Sequence, residues 1–457
     1  MLYFIGIGGI GMSSLARYFN MHGKMVAGYD LTPTPLTGKL EKEGIEITYH
    51  DDTGSVPAGF LQNNEGEKVL VVYTPAIPPD NNILQFFIEG GYRVVKRSKL
   101  LGELVNDARS IAVAGTHGKT SVSALTAHLL RQSRAGCNAF LGGVAKNYNS
   151  NLLVDKDSDL VVVEADEYDR SFLQLFPQIA VITSMDPDHL DVYGTLDRMK
   201  EAFALFGSQV KNGGTIICRK GIESEISPKT GVEKVTYGIN EHADYFAENI
   251  RIKGEGLPVF DLATPGARIR DLELGVAGIF NILNAVAATA AAMICGAGEH
   301  EVRAGLKSFR GLSRRFEIII NKPQGVLIDD YAHHPAELKA CISSVREIFS
   351  GREITGVFQP HLYSRTRDFA DEFAETLESL DKIVLLDIYP AREKPIPGVT
   401  SALIFNKVNK ESKIMCSREE LPGVVAGMVT DVVVMMGAGN IDALVEPVKN
   451  VLMSKLT

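Results

Sequence analysis

The sequence predicts an α/β protein of three domains: N-terminal Rossmann-like, central with a mostly parallel sheet plus an antiparallel β elaboration, and C-terminal Rossmann-like. Three observations predict it. At 457 residues the chain is too long for one ordinary core, and domains of roughly 150 residues suggest three. Short apolar runs ending in glycine or polar loops alternate with helical stretches, the pattern of βαβ units. Two glycine-rich loops, at Gly6 and at Gly115, each follow an apolar run and open a helical one.

The first domain is expected over 1–108. Residues 2–7 read as a strand, 11–22 as a helix and 25–29 as a second strand that ends at Asp30. Between them Gly6-Ile7-Gly8-Gly9-Ile10-Gly11 matches GxGxxG, whose glycines let a diphosphate approach backbone and helix N-terminus. Asp30 lies near the spacing of a ribose-binding acid, so a nicotinamide dinucleotide fits, and a nucleotide sugar fits the same geometry. A third apolar run, 69–72, stops at Tyr73-Thr74-Pro75-Ala76, a loop at a strand's carboxyl end.

The second domain is expected over 109–310. The run 111–114 leads into Gly115, Thr116, His117, Gly118, Lys119, Thr120 and Ser121, and an Ala-rich helix follows. That is a triphosphate cradle: backbone N–H groups meet phosphate, Lys119 would reach the β and γ phosphates, and Thr120 would hold magnesium. The generic P-loop has a glycine where this chain has Val113, so the loop is a compact variant, GTHGKTS, and the domain reads as a P-loop ATPase. Two further strands, 160–163 and 179–183, end in acid clusters. Glu164, with Asp166 and Glu167 beside it, is the candidate to bind the metal that bridges phosphate oxygens, a solvated helix start being the plain alternative. In Asp186-Pro187-Asp188-His189-Leu190-Asp191, His189 is a candidate metal ligand. Residues 219–274 turn Gly-, Pro- and charge-rich with short alternating runs, read as the antiparallel elaboration. A helix returns at 285–292, preceded by Asn281 and Asn284 about one turn apart, which suit either an adenine edge or a helix cap.

Gly311-Leu312-Ser313-Arg314-Arg315 marks the linker to the third domain, expected over 311–457, with strands at 326–329, 354–358, 382–388 and 432–436 and a helix at 336–349. Asp329-Asp330-Tyr331-Ala332-His333-His334-Pro335 leaves the first strand, and Gln359-Pro360-His361-Leu362-Tyr363-Ser364-Arg365-Thr366-Arg367 leaves the next. Loops at the carboxyl ends of such strands converge on one crevice, and arginines beside histidines suit a carboxylate and developing negative charge.

A formal charge of −9 argues against a nucleic-acid partner. Five scattered cysteines with no CxxC pair suggest neither a disulfide framework nor a zinc site, consistent with a reducing cytoplasm. No apolar run approaches the ~20 residues that span a bilayer and no leader pattern precedes the first strand, so neither membrane insertion nor secretion is expected.

Taken together, nine fragments in order make the chain resemble the Mur ligase family over nearly its whole length: GIGGIGMS, GTHGKTS, VEADEYDRSFL, DHLDVYG, GIFNILNA, GLSRRF, DDYAHHP, FQPHLYSRT and GAGNI. The resemblance implies ATP-dependent joining of L-alanine to the lactyl carboxylate of UDP-N-acetylmuramate through an acyl phosphate, in peptidoglycan synthesis. It places the UDP-sugar against Gly8, Gly9, Ile10, Gly11, Met12, Asp30, Thr74 and Ala76. ATP would meet residues Gly115 to Ser121, Asn281, Asn284, Arg315 and Asp330. The implied cofactor is magnesium, two ions with manganese as an alternative, on Thr120, Glu164 and His189. L-alanine would meet Tyr331, His333, His361 and Arg365, and the catalytic set would be Lys119, Glu164, His189, His333 and Arg365. Leu362 stands where relatives carry arginine, so contacts assigned there do not transfer. A sibling ligase that adds a preformed tripeptide to the same sugar nucleotide, and a nucleotide-sugar sensor without catalysis, are the alternatives.

Overall fold

The computed structural model describes residues 1–61, 69–187, 190–240, 242–253, 256–391 and 393–455. It contains three sheets, and the chain divides into two compact units. The first comprises Met1–Glu248, Asp261–Leu272 and Leu283–Arg310; the second comprises Asn249–Phe260, Glu273–Ile282 and Gly311–Thr457.

The first unit begins with a five-stranded parallel sheet in the order Glu46–Thr48, Val26–Tyr29, Leu2–Ile5, Leu70–Tyr73, Arg93–Lys96. Every residue of Leu2–Ile5 and Val26–Tyr29 is buried, which is why these strands read as unbroken apolar runs rather than alternating ones. The order reverses between Leu2–Ile5 and Leu70–Tyr73, so the crevice outside their carboxyl ends is the expected ligand position of an open α/β sheet. The glycine loop and Thr74 to Ala76 both leave strands at that point.

A larger sheet follows in the order Arg268–Glu273, Leu257–Ala263, Tyr245–Lys253, Glu233–Ile239, Thr215–Arg219, Ile179–Ile182, Arg109–Ala114, Leu160–Glu164, Asn138–Ala145, Ser150–Leu153. Its centre is parallel, with Ile111 beside both Ile179 and Val162. The expectation of antiparallel pairing across 219–274 holds only in part. Glu233–Ile239 pairs parallel with Thr215–Arg219, and Tyr245–Lys253 pairs parallel with Glu233–Ile239 over three residue pairs. Parallel neighbours ordinarily need a long crossover. Across this pair the Asp244 carboxylate takes hydrogen bonds from the Thr236 N–H and hydroxyl, both 2.7 Å. The hairpin geometry expected does occur next along the chain, where the Thr264 N–H donates to the Ala267 carbonyl between the adjacent strands Leu257–Ala263 and Arg268–Glu273.

One apolar cluster runs from the helix Ile10–Met21, through Met12, Leu15 and Ala16, to Val163, Ile182, Phe172, Phe203 and Phe206 under the larger sheet. Phe172 stacks on Phe206 at 5.1 Å and meets Phe203 edge-on. Arg17 fixes the same helix with hydrogen bonds to Ser150 and Asn151, and the Asn151 amide donates back to the Ile10 carbonyl at 2.7 Å.

The second unit carries a six-stranded sheet in the order Glu317–Lys322, Gly325–Asp330, Val432–Met436, Ile354–Phe358, Lys382–Leu385, Lys413–Met415, antiparallel only at its first edge. Apolar clusters cover both faces, one under Leu338, Ile342 and Phe373, the other under Leu421, Ile441 and Val448. The helix Pro335–Ile348 starts where the sequence places it: Pro335 fills the first turn, and His334 and Glu337 supply a reciprocal capping box.

Candidate functional site

The phosphate loop is set by two glycines in left-handed backbone. Gly115 has φ of +133°, and a Cβ there would lie 2.1 Å from the Thr183 hydroxyl and 2.8 Å from the Ser184 nitrogen. Gly118, at φ of +82°, ends the loop as N-cap of the helix Lys119–Arg131, and a Cβ on it would lie 2.9 Å from the Asn284 carboxamide oxygen. Only glycine fits either position without strain. The loop is stapled to the end of the strand Ile179–Ile182. Thr183 donates to the Ala114 and His117 carbonyls, Ser184 meets the Thr116 hydroxyl and the His117 N–H at 2.9 Å each, and the Asp186 N–H donates to Thr116 at 3.0 Å. His117 lies 3.7 Å from the Asp186 carboxylate. The sequence did not single out Thr183 or Ser184, since nothing local links them to a loop some seventy residues upstream.

Lys119 reaches the Gly115 carbonyl at 2.7 Å and the Glu167 carboxylate at 2.7 and 2.9 Å. Burial works against its charge, but Glu167, Asp166 and Glu164 outweigh that effect and hold the ammonium above its ordinary range. Glu167 is fully buried, and burial pushes its carboxyl up to about 7 against the pull of Lys119. The Thr120 hydroxyl donates to Glu164 at 3.1 Å, so the helix start and the end of the strand Leu160–Glu164 present two hard oxygen donors side by side. Magnesium takes such a pair together with phosphate oxygens, and the donor set fits it. Among the described residues no three His, Cys, Asp or Glu side chains gather as an all-protein metal cage. His189, expected as a further ligand, lies outside the described residues. Asn284 meets the loop at Gly118, whereas the Asn281 amide donates to the Ala277 carbonyl at 2.6 Å, tying the helix start to the segment before it.

At the glycine loop of the smaller sheet, the Asp30 carboxylate accepts the Gly8 N–H at 2.8 Å and the Thr32 N–H at 3.2 Å, so it braces the loop from the second strand. Thr74 packs beneath Gly6, where a Cβ would stand 2.9 Å from its methyl. Arg97, which sequence reasoning missed, brings its guanidinium against Gly11, 2.7 Å from where a Cβ would stand, and to 3.8 Å from Asp166. Lys96 pairs with Asp169 at 2.6 Å. Two consecutive cations, Lys96 at the end of the strand Arg93–Lys96 and Arg97 at the start of the helix after it, therefore meet acids on either side of Glu167.

In the second unit, four of the residues expected around the amino acid cluster. The Tyr331 and His333 rings lie 5.3 Å apart, His333 and His361 lie 5.5 Å apart, and His361 stacks on Tyr389. Arg365 is buried on the helix Tyr363–Asp368. Burial pushes His333 down to about 4, Glu337 opposing and Arg365 adding to the effect. The imidazole is therefore neutral at pH 7. Its Nδ1 lies 2.8 Å from the Tyr331 carbonyl, which can only accept, so Nδ1 carries the proton and Nε2 keeps a lone pair. Arg314 and Arg315 both lie over the Tyr331 ring, at 5.2 and 4.8 Å. Asp330, expected to approach the nucleotide, is buried with its oxygens accepting the Phe316 and Ala332 N–H groups at 2.6 and 2.7 Å, and burial raises it to about 6. Its visible work is to fold the Arg315 and Tyr331 segments together. Leu362 is buried at a left-handed φ of +71°, with its N–H bonded to Tyr389.

The chain matches three family models: Mur ligase family, catalytic domain, over residues 1–109; Mur ligase middle domain over 113–292; and Mur ligase, glutamate ligase domain, over 314–439. It is 52% identical over 455 residues to UDP-N-acetylmuramate–L-alanine ligase of Parabacteroides distasonis, covering 100% of this chain and 98% of that one. It is 44% identical to the ligase of the same name from Flavobacterium johnsoniae, covering 99% and 97%. Among solved structures, UDP-N-acetylmuramate–alanine ligase of Thermotoga maritima superposes with a TM-score of 0.81 at 28% identity, covering 99% of both chains. A murein peptide ligase of Psychrobacter arcticus shares the fold, with a TM-score of 0.72 at 21% identity, covering 99% and 98%.

Proposed function

The chain belongs to the Mur ligase family, and from that premise we propose that it joins L-alanine to the lactyl carboxylate of UDP-N-acetylmuramate at the expense of ATP, forming UDP-N-acetylmuramoyl-L-alanine, ADP and phosphate. The observation that carries the choice of alanine is identity of about half over the whole length to alanine-adding ligases.

A carboxylate is a poor electrophile. Transfer of the γ-phosphoryl group to the lactyl oxygen breaks the bond to the β-phosphate oxygen, releases ADP and leaves an acyl phosphate. The alanine amine then attacks the carbonyl carbon, loses a proton, and the tetrahedral intermediate expels phosphate to leave the amide. Lys119 sits where phosphate charge builds, and its held positive charge supports the role. Thr120 and Glu164 are the residues that would hold magnesium, which supplies charge neutralisation across phosphate oxygens. His189 would join them. Gly8 to Met12, with Thr74 and Ala76, line the crevice suited to the UDP-sugar. In the second unit Arg365 would take the alanine carboxylate, and Nε2 of neutral His333 would accept a hydrogen bond from the amine, orienting it; Tyr331 and His361 complete the pocket. No helix among the described residues is long and apolar enough to cross a membrane, and we place the enzyme in the cytoplasm, where ATP and nucleotide sugars are made.

The test is product formation by the purified chain with ATP, magnesium and UDP-N-acetylmuramate, with L-alanine or the tripeptide L-Ala-γ-D-Glu-diaminopimelate offered in parallel and products weighed by mass spectrometry. Turnover with alanine is expected. Turnover only with the tripeptide would move the assignment to the recycling activity, and binding of the sugar nucleotide without turnover would make the chain a sensor.

A further inference from the structure

Gly142 lies in the strand Asn138–Ala145, beside the strand that ends in Glu164. Its backbone is not left-handed, so nothing in its conformation demands glycine. Space demands it. A Cβ at 142 would stand 1.9 Å from Glu164 Oε2, 2.5 Å from its Cδ and 2.8 Å from Oε1, so the whole carboxylate occupies the volume a side chain would take. Parallel pairing of the two strands runs from Asn138 beside Val161 to Phe140 beside Val163. Beyond it the hairpin register with Ser150–Leu153 shifts between Phe140 and Ala145, and the strand parts from its regular path where the carboxylate needs room.

We infer that Gly142 is a positioning residue for the Glu164 carboxylate: the recess it leaves holds Glu164 where Oε1 meets the Thr120 hydroxyl. This rests on the proposed ATP and magnesium roles of Thr120 and Glu164. A methyl group at 142 drives Oε2 back by more than an ångström. Because Glu164 is flexible beyond Cβ, it yields by rotating, so the fold survives while the Thr120 contact is lost. The specific consequence is a weaker hold on the metal with an unchanged hold on the nucleotide itself.

The experiment compares the full chain with Gly142→Ala, Gly142→Ala/Glu164→Asp and, as control, Gly423→Ala, whose added Cβ meets nothing within 4 Å. Calorimetric titration with ADP, without and with magnesium chloride, gives the factor by which magnesium strengthens ADP binding; melting temperature is recorded alongside. Gly142→Ala is expected to lower that factor at least tenfold, leaving metal-free ADP affinity within twofold and the melting temperature near the wild-type value. The shorter aspartate, which withdraws from the methyl group, is expected to recover part of the factor, and Gly423→Ala to match wild type. A magnesium factor unchanged in Gly142→Ala overturns the inference, as does an equal loss of ADP affinity with and without magnesium. If wild type itself binds no ADP under either condition, the ATP reading falls first.

Discussion

Replacing Lys119 by Met tests the ion pair at the heart of the phosphate loop. Glu167 is 0% exposed, and burial already pushes its carboxyl up to about 7 with the ammonium beside it. Without Lys119 the chief opposing force is gone, and Glu167 titrates higher still. A carboxyl whose folded pKa exceeds its unfolded value favours the fold while protonated, and that contribution is lost as pH rises from the unfolded towards the folded value. In wild type the loss runs from the ordinary 4.5 to about 7 and stops. In the variant it continues above 7, at no more than about 1.4 kcal/mol per pH unit, until the higher folded value is reached. The stability gap between the two proteins therefore widens from pH 7 to pH 9, by at most about 2 kcal/mol, above a pH-independent cost from lost packing. Urea unfolding of both proteins at pH 6, 7, 8 and 9 measures it. A second variant, Lys119→Met/Glu167→Gln, has no carboxyl to titrate and should lose the dependence above pH 7. A gap that stays constant from pH 7 to 9 refutes the reasoning.

Arg365→Ala should raise the KM for L-alanine about 100-fold, the scale of one charge-assisted hydrogen-bonded pair, while ADP affinity measured by titration stays unchanged. For Gly11→Ala, the added methyl meets the movable Arg97 guanidinium, so unfolding free energy should change by less than about 1 kcal/mol while the KM for UDP-N-acetylmuramate rises roughly tenfold. His333, held down to about 4 by burial, should show its imidazole proton shift titrating near that value in NMR; its neutral form favours the fold, a contribution lost as pH falls from about 6.5 to about 4, and a midpoint near 6.5 would contradict the buried neutral ring. Phe172→Ala should cost about 3–5 kcal/mol in urea unfolding, because its ring fills the packing between Phe203 and Phe206.

What was legible in the sequence is what local chemistry writes there. Gly115 and Gly118 mark a loop whose backbone can approach phosphate, a helical stretch follows Pro335 at 336–349, and the apolar runs at 111–114, 160–163, 179–183 and 432–436 read as strands. Residues leaving the strands expected at 326–329 and 354–358 then gather, as Tyr331, His333 and His361 do. What was not legible depends on partners far along the chain. Glu167 stood as one acid of three until its side chain turned to Lys119, and Gly142 looked like an ordinary glycine until Glu164 was found in its space. Nothing near Asp330 in the sequence marks Phe316 as a partner, yet the backbone N–H groups of Phe316 and Ala332 both donate to its carboxylate. Alternation in 219–274 gave strands but not their direction, since a two-residue period is the same in parallel and antiparallel pairs. There Thr236 donates to the Asp244 carboxylate across the parallel pair.

In this mechanism the lactyl carboxylate is activated by phosphoryl transfer before alanine arrives at its carbon. UDP-N-acetylmuramate labelled with oxygen-18 in the lactyl carboxylate, turned over with ATP and L-alanine, tests it directly by the mass of the phosphate released. One labelled oxygen in each phosphate is the predicted result, because the bond broken at amide formation leaves the carboxylate oxygen on phosphorus. Phosphate free of label, with amide product formed, would contradict the acyl phosphate and the roles assigned around it.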